Sequence, residues 1–203
     1  MAVSTEQSIR TFVAIALEPG LVTELKKVQQ QLGAQLPVET VRWVRPEQLH
    51  LTLKFLGRVS RASLNDLAAA LQRACSGFSS FRLTLEKVGC FPNTANPRVV
   101  WIGIHGELES LRNLQTRIER ETQAFGDHSE DRAFRPHLTI GRVKAQGKGA
   151  GTVGGLVGRA EVPKPGDWIV RQVYLIQSDL SPDGARYTTL ATVALPTEPI
   201  SCV

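Results

Sequence analysis

Two tripeptides in this 203-residue chain carry side chains suited to acid–base chemistry, His50-Leu-Thr52 and His137-Leu-Thr139. Residues two apart on a β-strand share a face, so each histidine looks the same way as its threonine. An unperturbed imidazole titrates at about 6.5, so both its protonated and neutral forms are available near neutrality. Two imidazoles facing one cleft suit an in-line displacement at phosphorus. One takes a proton from water and the other gives a proton to the leaving oxygen, while the hydroxyls donate to the non-bridging oxygens. This chemistry needs no cofactor and no metal, and no third ligand stands at a recognisable zinc spacing from the two histidines.

A lone histidine on a strand is more often a packed or solvated residue than a catalyst, so the weight falls on the matched context of the pair. Arg10-Thr-Phe-Val-Ala-Ile-Ala-Leu17 is a β-rich run, followed by Leu21, Leu25, Val28 and Leu32 at helical spacing and then by Val41–Arg45 and His50. Arg98-Val-Val-Trp-Ile-Gly-Ile104, then Leu108, Leu111, Gln115 and Ile118, then a polar loop, lead in the same order to His137. The chain therefore reads as an internal repeat over about 10–55 and 98–142, each copy delivering a His-x-Thr strand after strand, helix and loop.

The other segments fill in around the copies. Residues 63–75 read as a helix ended by Gly77, and 81–88 as a half-buried strand. Residues 170–177 and 187–195 flank Ser181-Pro-Asp-Gly184, the composition of a hairpin turn. The spacing predicts an α+β fold of mainly antiparallel sheets in one domain over 1–203. The glycine-rich stretch 147–158 reads as a flexible loop; its Gly-Lys-Gly piece fails the phosphate-loop pattern, because Arg142 and Gly149 stand where Gly and Ser or Thr are required.

Near the motifs, Arg142 follows Gly141, where a guanidinium can grip a phosphate bidentately. Strict alternation turns Arg142 away from His137, and a bend at Gly141 brings it back. Lys54 shares the parity of His50 and Thr52, so it either adds charge to the site or ends a strand in solvent. Arg42, Arg45, Arg58 and Arg135 read as a solvated face. Trp43, Phe91 and Trp101 read as core before they read as base-stacking platforms, His105 as a strand-end residue and His128 as a loop residue.

The composition, 42% hydrophobic and 21% charged, is that of a soluble globular chain, and the net charge of +5 permits phosphate-bearing partners without requiring one. Cys75, Cys90 and Cys202 show no paired spacing and suit a reducing cytoplasm. The apolar run before Glu18-Pro19 is too short for a signal core, and no run is long enough to span a bilayer. The reading is of a cytoplasmic protein, a monomer without membrane contact or obligate protein partner.

At these residues the sequence resembles the two-histidine phosphoesterase superfamily, in particular its RNA 2′,3′-cyclic phosphodiesterase branch, also called 2′-5′ RNA ligase. The resemblance runs through Arg10-Thr-Phe-Val-Ala-Ile, residues 42–57, Phe91-Pro92, Pro97–Trp101, Phe134–Arg142, Gln177-Ser178 and Gly184-x-x-Tyr187. It implies a bilobal fold, with two mainly antiparallel sheets related by a pseudo-two-fold around a central cleft and helices outside. It implies hydrolysis of RNA 2′,3′-cyclic phosphate ends, or of cyclic nucleotides, to 2′-phosphomonoesters, with reversible 2′-5′ ligation as related chemistry. By the same resemblance His137 is the base toward water, His50 the acid toward the 3′ oxygen, and Thr52, Thr139 and Arg142 hold the phosphate. The rival readings are a cyclic phosphodiesterase for an ADP-ribose cyclic phosphate or a 2′-5′ oligonucleotide, and a non-catalytic RNA- or nucleotide-binding module.

Overall fold

The structure is a computed structural model that describes residues 8–127, 133–144, 148–160, 162, 168–181 and 184–197. The first half holds strand β1 (Ser8–Ala16), helix α1 (Pro19–Gly33), β2 (Val41–Trp43), β3 (His50–Ser60) and α2 (Leu64–Cys75). The second holds β4 (Phe81–Phe91), β5 (Val99–Gly106), α3 (Leu108–Glu121), β6 (His137–Val143), α4 (Lys148–Val157), β7 (Trp168–Val170), β8 (Gln172–Ser181) and β9 (Gly184–Ala194).

The strands run β7-β4-β5-β6-β3-β1-β8-β9, with β2 added on β6, and their pairings are antiparallel. The sheet is two sub-sheets, β9-β8-β1-β3 and β6-β5-β4-β7, which meet between β3 and β6 through the single pair Leu51 and Leu138. The sheets of the two expected lobes thus join along one seam.

The helices form because each places apolar residues on one stripe. Leu21, Leu25, Val28 and Leu32 of α1 and Leu111, Leu114 and Ile118 of α3 are buried against the same sheet face, with Pro19 opening α1 where its missing N–H costs nothing. The opposite sheet face carries a smaller apolar group, Phe12, Ala14 and Ile176 with Tyr174 and Tyr187 packed on it. That is why β1 is buried on both sides rather than alternating.

The expectation of a flexible loop over 147–158 is corrected: residues 148–157 form α4. Glycine lowers helix preference by about 1 kcal/mol per residue, but Ala150, Val153 and Val157 recur at helical spacing and are buried. A Cβ at Gly154 would stand 1.8 Å from the Thr94 carbonyl oxygen, so glycine there lets the helix lie directly on the backbone between β4 and β5. Cys75 and Cys90 are free and buried, and burial pushes the Cys75 thiol up to about 12, an inert interior group. His105 lies near the exposed end of β5, while His128, Cys202 and the central turn residues Pro182 and Asp183 lie outside the described residues. No helix among the described residues is long and apolar enough to cross a membrane.

Candidate active site

The seam pair fixes the face of four side chains. Leu51 and Leu138 both point into the core and are fully buried, so their neighbours in each strand point to the other face. Carried one step either way, the antiparallel register sets His50 opposite Thr139 and Thr52 opposite His137. Imidazole and hydroxyl therefore alternate around a small square, with the two histidines on its diagonal. Diagonal neighbours in a regular ladder are about 7–8 Å apart, somewhat less between Cβ atoms, close enough for both imidazoles to reach one bound group. Among the described residues no hydrogen bond takes up the hydroxyl of Thr52 or Thr139.

Both imidazoles are held in the same way. His50 Nδ1 lies 2.7 Å from the Gln48 carbonyl oxygen, and His137 Nδ1 lies 2.6 Å from that of Arg135, each two residues back. A carbonyl only accepts, so the proton of each neutral ring sits on Nδ1 and Nε2 is left with a lone pair for chemistry. Aromatic rings brace both: Phe12 at 4.8 Å and Tyr187 at 5.5 Å from His50, Phe91 at 5.1 Å and Trp101 at 6.4 Å from His137. Desolvation among these rings pushes both imidazoles below their ordinary value, with the carbonyl hydrogen bonds opposing the shift.

Two β-bulges decide which later residues reach the cleft. On β6, Thr139 pairs with Trp101 and Gly141 with Val100, so Ile140 is the extra residue. Parity flips there, Gly141 packs inward, and Arg142 emerges exposed on the face of His137 and Thr139. On β3, Thr52 pairs with Ala14 and Lys54 with Val13, so Leu53 is extra. The flip sends Lys54 into the interior, where it is 5% exposed and ion-paired with Glu119 at 2.8 Å, and brings Phe55 out at 46% exposure. Lys54 therefore belongs neither to the site nor to a solvated strand end.

Each bulge carbonyl is tied by a glutamine from the helix of the other half. The Gln29 amide of α1, itself buried, donates to Ile140 O at 2.9 Å and Val44 O at 2.8 Å; the Gln115 amide of α3 donates to Leu53 O at 3.4 Å.

Sequence reasoning missed Phe12, Tyr187, Phe55, Arg10 and Gln29. Burial pushes the Tyr187 phenol up, while the charges of Arg142 and Arg10 draw it down, and the Tyr187 ring lies against that of His50. Gly184-x-x-Tyr187, part of the family resemblance, was the signal for Tyr187, and the parity of Phe12 with Ala14 the signal for Phe12. Nothing in composition marks Gln29 as more than a polar residue on a helix. Of the aromatics read as core, Trp43 packs over Gly33 and Gly141, whereas Phe91 and Trp101 also brace His137. Among the described residues no three His, Cys, Asp or Glu side chains are grouped to hold a metal.

The family described as LigT like phosphoesterase matches residues 15–101. The RNA 2′,3′-cyclic phosphodiesterase of Methanothermobacter thermautotrophicus is 32% identical over 187 residues, 92% of this chain and 99% of the relative. The crystal structure of TT0787 of Thermus thermophilus superposes with a TM-score of 0.73 at 30% identity, covering 94% of this chain and all of that one. Escherichia coli LigT complexed with 3′-AMP does so with a TM-score of 0.72 at 27% identity, covering 93% and 99%. On sequence and fold alike, the chain belongs to the LigT-like, two-histidine phosphoesterase family of RNA 2′,3′-cyclic phosphodiesterases.

Proposed function

We propose that the chain hydrolyses RNA 2′,3′-cyclic phosphodiester ends to 2′-phosphomonoesters with His50 and His137 as its acid–base pair, without a metal. The observation that carries this reading is the matched pair of Nδ1–carbonyl hydrogen bonds, which frees one Nε2 on each side of the alternating His and Thr square. The substrate class comes from the relatives' names and from the nucleotide bound to LigT.

In this reading His137 Nε2 accepts a proton from water as its oxygen attacks phosphorus. The bond from phosphorus to the 3′ oxygen breaks, and protonated His50 gives its Nε2 proton to that oxygen, leaving a 2′-phosphate. Thr52, Thr139 and Arg142 hold the non-bridging oxygens, where charge gathers in the transition state. With an RNA 5′-hydroxyl attacking phosphorus in place of water, the same groups form a 2′-5′ linkage from a cyclic end, the 3′ oxygen again leaving with the His50 proton; run in reverse, that step cleaves the linkage and restores the cyclic end. The braced rings and the glutamine-tied bulges keep the donors in place before substrate arrives.

The test is turnover of a 2′,3′-cyclic nucleotide in the presence of chelator, with the phosphate position of the product identified. His50→Ala and His137→Ala each lower kcat about 10²–10⁴-fold, and the wild-type product is the 2′-phosphate. Loss of turnover in chelator, or a 3′-phosphate product, overturns the mechanism.

A further inference from the structure

Beside the active site lies a cavity of about 350 Å³, lined by Arg45, Glu47, Gln48, Ser181, Arg186 and Tyr187 together with the backbone that opens β9. It shares two walls with the catalytic cleft. The Gln48 carbonyl holds His50, and the Tyr187 ring lies 5.5 Å from the His50 ring. The far wall is strapped to the segment leading into His50, because the Arg45 guanidinium (3.1 Å) and the Gln48 amide both donate to Ala185 O.

The walls are cationic. Arg186 is exposed and makes no ion pair with a described residue; Asp179, its direct cross-strand partner on β8, accepts instead from the Gln177 amide at 2.8 and 3.0 Å. Glu47, the carboxylate of the lining, is engaged by Arg45 at 3.2 Å. Arg42 Nη2 stands 3.2 Å from where a Cβ at Gly184 would be, and Gly184 has a φ of +120°, so the wall stays bare where the guanidinium approaches. Arg42 is also the direct cross-strand partner of Arg142 on the cleft face. Like charges directly opposite destabilise a sheet pair, and a phosphate accepting from guanidinium groups offsets such repulsion. The arginines thus run from the reacting phosphate outward into the cavity, and a basic groove of this kind is how proteins follow a single-stranded backbone.

We propose that this cavity is a second phosphate subsite, which binds the phosphate on the 5′ oxygen of the terminal nucleotide, the internucleotide phosphodiester of an RNA strand, through Arg186 and Arg45. The proposal rests on the cyclic phosphodiesterase reading of His50 and His137. A nucleotide whose cyclic phosphate is in the square can extend in two chemically distinct ways, through its base or through its 5′ oxygen. The exposed Phe55 ring suits the base; the arginine-walled cavity suits the anion.

The test compares three substrates in wild type, Arg186→Ala and Arg45→Ala. They are adenosine 2′,3′-cyclic phosphate, the same nucleotide with a 5′-phosphate, and the dinucleotide ApA ending in a 2′,3′-cyclic phosphate. In wild type, kcat/KM for the second and third exceeds the first by about tenfold, the worth of one charge-assisted hydrogen bond. The advantage falls below about threefold in Arg186→Ala, whose side chain makes no hydrogen bond or ion pair with a described residue. The salt dependence of log KM for the dinucleotide is steeper than for the bare nucleotide by about 0.7, and this difference also shrinks in Arg186→Ala.

Equal turnover of all three overturns the subsite, as does an advantage for the dinucleotide alone, which assigns the gain to the second base. An advantage undiminished in both variants overturns it too. Wild type that turns over none of the three sinks the phosphodiesterase reading itself, an outcome distinct from equal turnover.

Discussion

Phe55 and Arg142 hold matching places in the two halves of the molecule: each stands three residues beyond the threonine of its His-x-Thr strand, past one bulge, on the cleft face. One half offers the cleft a flat apolar ring and the other a planar cation. Base–aromatic stacking is worth about 1–3 kcal/mol, so Phe55→Ala raises KM for a cyclic nucleotide roughly tenfold with a smaller change in kcat. Arg142→Ala acts mainly on kcat, about 10²–10³-fold, as loss of a transition-state donor does. Steady-state kinetics of both variants checks this; an unchanged KM in Phe55→Ala removes the ring from substrate binding.

Activity peaks on the acid side of neutrality. Desolvation lowers both imidazoles from their ordinary value, and the proposed mechanism requires a free enzyme with one protonated and one neutral. The bell-shaped kcat/KM profile therefore centres below about 6.5. A bound phosphodiester anion favours imidazolium, so the kcat profile lies at higher pH than that of kcat/KM. Rates measured between pH 4.5 and 8.5 decide it; a kcat/KM that climbs steadily to pH 8 rejects the assignment.

The same shifts couple folding to pH. The unfolded chain takes up protons on these histidines before the folded one does, so their contribution to stability is whole above the unfolded value and is lost as pH falls through the lowered folded values. Thermal melts from pH 7.5 to 5 show Tm falling, and falling less in His50→Gln; an equal fall in both denies His50 a part.

Gln29→Leu keeps the bulk of a buried side chain and deletes its donors to Val44 O and Ile140 O. It destabilises the fold by about 1–3 kcal/mol. It also lowers kcat/KM, because the bulge at Ile140 is what turns Arg142 to the cleft. Denaturant melts and kinetics together test this, with Gln29→Leu in the Arg142→Ala background losing little further activity if the route runs through Arg142.

Lys54 and Glu119 give an asymmetric pair of outcomes. Glu119→Gln strands a buried ammonium that retains one carbonyl partner, Glu119 O at 3.2 Å, and costs about 1–3 kcal/mol. Lys54→Met removes the charge with its need for a partner and stays within about 1 kcal/mol of wild type. Both variants keep full activity, since Lys54 faces away from His50.

The face shared by each histidine and its threonine was legible from a period of two, and the order of strand, helix and strand from apolar spacing. Lys54 was misplaced because an extra residue at Leu53 reverses the positions that follow until a second extra residue, Leu56, restores them, and nothing about a leucine in a β-rich run announces a bulge. The turn of Arg142 toward the cleft was open in the sequence for the same reason, and the extra residue proved to be Ile140 beside the suspected Gly141. Helix α4 was hidden by its glycines: propensity spoke against it, while the close approach to Thr94 that requires glycine at 154 is a tertiary fact.

The seam between β3 and β6 carries a mechanical consequence. His50 and His137 are the immediate chain neighbours of Leu51 and Leu138, the pair through which the two sub-sheets meet. Points close to a pivot travel little when the arms swing. Any rocking of one sub-sheet on the other would therefore change the gap between the imidazoles, set next to the pin, less than the spacing of the rims.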